Sequence, residues 1–124
     1  MFAIKRNMDI IRKILIKLEE DESPAHWKSL NIEGVDDTLV SYHIKILYEA
    51  GMIEGKDKQL DQYFWWEARN LTNQGHDLLD SLRNDTVYKK MKQHLGEKIS
   101  QVPLSEILNL GTKLTNQWLT NIFG

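Results

Sequence analysis

Apolar positions recur at helical spacing towards both ends of the chain and at strand spacing in its middle. From Asn7 to Glu20, Met8, Ile11, Leu15 and Leu18 form one stripe, which Ile14 widens. The acidic run Glu19 to Glu22 opposes the dipole of that helix at its C-terminal end, and Ser23-Pro24 stops it. Between His26 and Ile32 the pattern is ambiguous: Trp27, Leu30 and Ile32 suit a short strand, and Asn31 to Asp37 reads as a turn. The most regular helix runs from about Asp37 to Ala50, with Asp36 or Asp37 as N-cap and Gly51 placed to close it. Met52-Ile53-Glu54 and Tyr63 to Ala68 then read as two strands of a hairpin, joined by the polar stretch Gly55 to Gln62. Thr72 opens a helix through Leu78, Leu79 and Leu82. Asn84-Asp85-Thr86 offers a second cap before Val87, Met91 and Leu95, so this region is two helices or one kinked helix. Gly96 and Pro103 bracket a connection. The last helix spans Leu104 to about Phe123, with Leu104, Ile107, Leu108, Gly111, Leu114, Trp118 and Ile122 on one side.

Helix, short strand or turn, helix, hairpin, helices is the layout of a winged helix-turn-helix. The expected fold class is therefore mainly α with a small β-hairpin. The expected division is a winged-helix domain over 1–96 and a C-terminal helix over 97–124, packed on that domain or on a second copy. A chain of 124 residues is long enough for a core without covalent staples, and it has no cysteine. No apolar run approaches the ~20 residues that span a bilayer, and the N-terminus has no signal-peptide pattern, so a soluble, cytoplasmic protein is expected.

Val40-Ser41-Tyr42-His43-Ile44-Lys45-Ile46-Leu47-Tyr48-Glu49-Ala50-Gly51-Met52-Ile53 resembles the second helix of the helix-turn-helix, and the strand after it, in arsenical-repressor-type winged helices. Leu71-Thr72-Asn73-Gln74-Gly75-His76-Asp77-Leu78-Leu79 is similar to the segment that follows the wing in many of those regulators. The wider pattern, opening with Arg6-Asn7-Met8-Asp9-Ile10-Ile11-Arg12-Lys13-Ile14-Leu15, resembles a family of bacterial and phage-borne proteins defined as a domain of unknown function. That resemblance implies a winged-helix fold and a phage or prophage origin, with no assigned activity. The chain departs from the pattern in one place: little room remains before Asp37 for the first helix of the helix-turn-helix, and Gly34-Val35-Asp36 stands there as a turn.

On a helical wheel, Leu39, Val40, His43, Ile44, Ile46, Leu47 and Ala50 share one arc of the 37–50 helix, and Thr38, Ser41, Tyr42, Lys45, Tyr48 and Glu49 lie opposite. The expected function is a DNA-binding transcriptional regulator of phage or prophage type, in which that opposite face enters the major groove of double-stranded DNA with Thr38, Ser41, Tyr42 and Lys45 as contacts, and Lys56 and Lys58 act from the wing. Charge weighs against this. Between Asp36 and Lys58, Lys45, Lys56 and Lys58 stand against Asp36, Asp37, Glu49, Glu54 and Asp57, and the whole chain carries −2. The alternative is a protein-interaction module, with Tyr48, Trp65 and Trp118 as partner contacts. In the second strand Phe64, Trp66 and Ala68 suit the core side, and Tyr63 and Trp65 project outward, where Trp65 is either covered by the final helices or anchors a partner. His43 falls in the apolar arc and reads as a packed histidine. The four histidines have no ligand spacing, so neither metal nor cofactor is expected. No nucleophile motif or phosphate-cradling loop is present, so no enzyme is expected either.

Overall fold

A computed structural model of the chain describes residues 4–59 and 63–123. In order these form α1 (Met8–Glu20), α2 (Asp37–Glu49), β1 (Ile53–Asp57), β2 (Trp66–Leu71), α3 (Asn73–Leu82), α4 (Asp85–Leu95) and α5 (Leu104–Phe123), with a 3-10 turn at Gly96–Ser100. The fold is mainly helical with one antiparallel hairpin. Residues 60–62 of the expected hairpin tip lie outside the described residues. The chain divides into two compact units, Met1–His76 and Asp77–Gly124. The boundary thus falls inside α3 and not at 96/97, and α4 belongs with α5, on which it packs.

In the first unit, α1 begins where the Asn7 side chain accepts hydrogen bonds from the Asp9 and Ile10 N–H groups. Its apolar stripe, Ile11, Ile14, Leu15 and Leu18 among others, is buried. No helix lies among the described residues between α1 and α2, so the first helix of a helix-turn-helix is missing. In its place, Lys28 and Ala68 exchange backbone hydrogen bonds of 2.9 Å each, which lays one extended residue against the outer strand of the hairpin. The ambiguous segment His26 to Ile32 is therefore neither a full strand nor a helix.

Asp36 caps α2 by accepting from the Thr38 N–H. The helix ends at Gly51, whose φ of +77° is the left-handed conformation a C-terminal glycine supplies. In the hairpin Ile53 pairs with Leu71 but Glu54 pairs with Arg69, so Asn70 is an extra residue on β2. Its φ of +35° makes the bulge, and its Nδ2 donates to the Pro24 carbonyl at 2.9 Å. The strand β2 lies about three residues later than the Tyr63 to Ala68 expected from its β-formers. The reason is tertiary: the Lys28–Ala68 pair and the Thr72 N–H bond to the Met52 carbonyl, 3.0 Å, set the register.

In the second unit Asn84 accepts from the Thr86 and Val87 N–H groups, which makes α3 and α4 two separate helices. Val87, Met91, Leu104 and Ile107 are among its buried residues. No helix among the described residues is long and apolar enough to cross a membrane.

Candidate binding surface

The two segments that resemble winged-helix motifs meet in the structure. Thr72 opens α3, accepting from the Gly75 N–H, and its hydroxyl donates to the Gly51 carbonyl at 2.6 Å. A β-carbon on Gly75 would stand 1.8 Å from the Met52 oxygen, so only glycine lets the first turn of α3 sit against the start of β1. These contacts place the hairpin beside α2 and settle which part of α2 stays open.

The hairpin covers part of the face that the helical wheel leaves outward. Ser41 is buried, 3% exposed, and its Oγ accepts from the Trp66 N–H at 3.2 Å. It fastens α2 to β2 and, contrary to the helical wheel, is not on the surface where DNA could reach it. Tyr48 keeps 46% exposure, but its ring lies 5.6 Å from the Trp66 ring and its side chain rests on Gly55, where an added β-carbon would come within 2.7 Å of the Tyr48 Cβ. Its ring thus holds the hairpin as well as meeting solvent. The wheel fails here because it knows only the helix, and the side facing Trp66 is defined by a strand about twenty residues on. What stays open is a narrow line: Thr38 and Glu49 exposed, Tyr42 and Lys45 half-buried between them.

His43 sits on the opposite, covered side and is fully buried. Its Nε2 accepts the Asn7 N–H at 2.8 Å and its Nδ1–H donates to the Leu39 carbonyl at 2.8 Å, so both ring nitrogens are spent on joining α2 to the start of α1. Burial, with the Arg6 guanidinium adding to it, lowers its pKa against the raising effect of the Leu39 bond.

Most cations near the hairpin are already engaged. The Arg69 guanidinium lies 4.4 Å from the centre of the Trp27 ring, and its Nε donates to Glu54 at 2.7 Å. Lys56 is exposed, yet its ammonium is 5.6 Å from the same ring. Lys28 pairs with Asp21 at 3.5 Å. Lys45 and Lys58 have no ion-pair partner among the described residues. The Trp27 cluster escapes a sequence reading because its members lie on an irregular segment and two strands. Only the cross-strand pairing of Glu54 with Arg69 is the kind of signal a register prediction reaches.

Trp65 is half-buried, and its indole N–H donates to Ser29 Oγ at 3.0 Å, while the Ser29 hydroxyl donates to Glu67 at 3.3 Å. Tyr63 is 76% exposed. With Asp57, Lys58, Gln59 and Glu67 these two aromatics line an open groove of about 710 Å³. Aromatic faces beside two carboxylates suit a cationic side chain. Trp118 lies on α5, which belongs to the second unit. Among the described residues no group of three or more histidine, aspartate or glutamate side chains is placed to hold a metal ion.

A family model described as a hypothetical protein family, DUF2513, matches residues 5–101. An uncharacterized protein of Haemophilus influenzae is 41% identical over 118 residues, which cover 94% of this chain and 99% of that relative. No solved structure matches the chain.

Proposed function

The chain belongs to the DUF2513 family of hypothetical proteins, and from that premise we propose that it is a non-catalytic binding module whose first unit grips a protein partner through the hairpin. The groove of Tyr63, Trp65, Asp57 and Glu67 takes a basic side chain of that partner. The observation that carries this reading is charge. Residues 1–76 hold ten Lys and Arg against thirteen Asp and Glu, and Lys28, Lys56 and Arg69 are turned to partners within the unit. Affinity for duplex DNA comes largely from neutralising phosphates, and a specific site uses about 6–10 such contacts. On α2 and the hairpin, the part that would face the groove, this leaves Lys45 and Lys58, well short of that number.

A second reading keeps one observation in its favour. The order of α2 and hairpin, with Thr38, Tyr42 and Lys45 along the open line of α2, is the order of a winged-helix reader of double-stranded DNA, as in a phage- or prophage-type regulator.

One comparison separates the two. Tagged full-length protein is used to capture partners from host lysate treated with nuclease, beside Trp65→Ala and Glu67→Lys, and the wild type is titrated with random duplex DNA at low salt. A protein captured by the wild type and lost about tenfold or more with either variant supports the proposal. Duplex binding that falls steeply with salt and disappears with Lys45→Glu and Lys56→Glu replaces it with the regulator.

A further inference from the structure

The helix α5 changes character at Gly111. Leu104, Ile107 and Gly111 are buried in their unit, whereas not one of the twelve residues from Thr112 to Phe123 is buried. The apolar seam does not stop with the burial. Leu104, Ile107, Gly111, Leu114 and Trp118 follow one another by alternating steps of three and four, and Ile122 extends the line. Leu119 is 39% exposed, Ile122 53% and Phe123 83%. An uncovered helix segment this short is marginal in water, since most helical stability in proteins comes from packing an apolar face.

The chemistry of the segment selects its occupant. From Leu114 to Phe123 there is no charged residue. A nucleic acid finds one cation on the exposed segment, Lys113 at its proximal end, where several are needed. Helices that lie on membrane surfaces are typically rich in Lys and Arg on their polar face, and the twelve residues from Thr112 to Phe123 have a single one, Lys113 at the proximal end. The polar positions are Thr115, Asn116, Gln117, Thr120 and Asn121, whose amides and hydroxyls both donate and accept hydrogen bonds. Such a surface is complementary to itself, and no like charges meet when two copies approach about a two-fold axis.

We propose that the distal half of α5 pairs with the same segment of a second copy of this chain, with Trp118, Leu119, Ile122 and Phe123 in the contact and the amide side chains at its rim. This contact is independent of the hairpin reading above. The segment is about 18 Å long, so the interface falls below the ~800 Å² per partner of a standard complex and is a weak one. Dissociation in the micromolar range is expected.

Sedimentation velocity on the full chain, from about 1 to 200 µM, tests it. The wild type is expected to pass from 14.5 kDa to twice that mass with concentration. Leu119→Glu combined with Ile122→Glu is expected to stay monomeric throughout with unchanged circular dichroism, because both side chains are already largely exposed. A wild type that remains monomeric at the highest concentration overturns the proposal, and so does a double variant that still dimerises. A monomeric wild type that sediments with neutral phosphatidylcholine vesicles assigns the segment to lipid instead.

Discussion

At the scale of single residues, His43 is fully buried with both ring nitrogens bonded. Its neutral ring satisfies the Asn7 N–H and the Leu39 carbonyl at once. Protonation at Nε2 would set a donor against the Asn7 donor in a buried site, and burial accordingly lowers its pKa. The sign of the linkage follows. The unfolded chain takes up the proton near the ordinary histidine value of about 6.5, before the folded protein does. The contribution of His43 is therefore complete above that pH and is lost as pH falls through the lowered folded value. Thermal melts between neutral and mildly acidic pH are expected to show a falling melting temperature, and His43→Gln is expected to flatten that component. The same variant is expected to cost about 1–3 kcal/mol at neutral pH, because one hydrogen bond is lost inside the core. A pH response identical in the variant would remove His43 as its source. The sequence places His43 on the apolar arc, but the partner Asn7, the cap before α1, comes only from the fold.

At the scale of elements, the unit depends on how closely the hairpin approaches its neighbours. Gly75→Ala puts a methyl group 1.8 Å from the Met52 oxygen, a backbone atom that cannot swing away. The expected loss is about 3 kcal/mol or more, at the upper end of overpacking, read as a shift in the urea midpoint. Gly55→Ala meets the Tyr48 Cβ at 2.7 Å, and a loss of about 1–3 kcal/mol is expected as Tyr48 is pushed off Trp66. Asn70 tests the bulge: with φ at +35°, Asn70→Gly is expected to be tolerated, whereas Asn70→Val is expected to cost about 1–3 kcal/mol in the same titration. Equal stability of the two variants would mean that the left-handed backbone there stores no strain. The resemblance to winged-helix motifs contains Gly75, and the physical reason for it is visible only where Met52 lies against it.

At the scale of the whole molecule, charge separates the units. The first holds ten basic against thirteen acidic residues, and residues 77–124 hold six against five. A surface of that balance repels polyanions at long range, and the repulsion fades with salt. Full-length protein is therefore expected to show no retention of random duplex DNA at about 50 mM salt. Removing the acidic groups of the groove, as in Asp57→Asn with Glu67→Gln, is expected to weaken partner capture. Stronger capture by that variant would argue that the partner is acidic.

Much of the local order is written in the sequence. Helix positions, the caps at Asp36 and Asn84, the stop at Gly51 and the existence of a hairpin all follow from side-chain periodicity and short-range hydrogen bonding, which need no distant partner. The missing first helix of the helix-turn-helix also shows, as a gap too short to hold it. Tertiary structure alone decides the register of β2, the bulge at Asn70, the burial of Ser41 and the capture of Arg69 and Lys56 by Trp27. Each depends on a contact between residues far apart in the chain. A helical wheel sorts apolar from polar positions, but which polar position faces a strand and which faces water depends on where that strand lies.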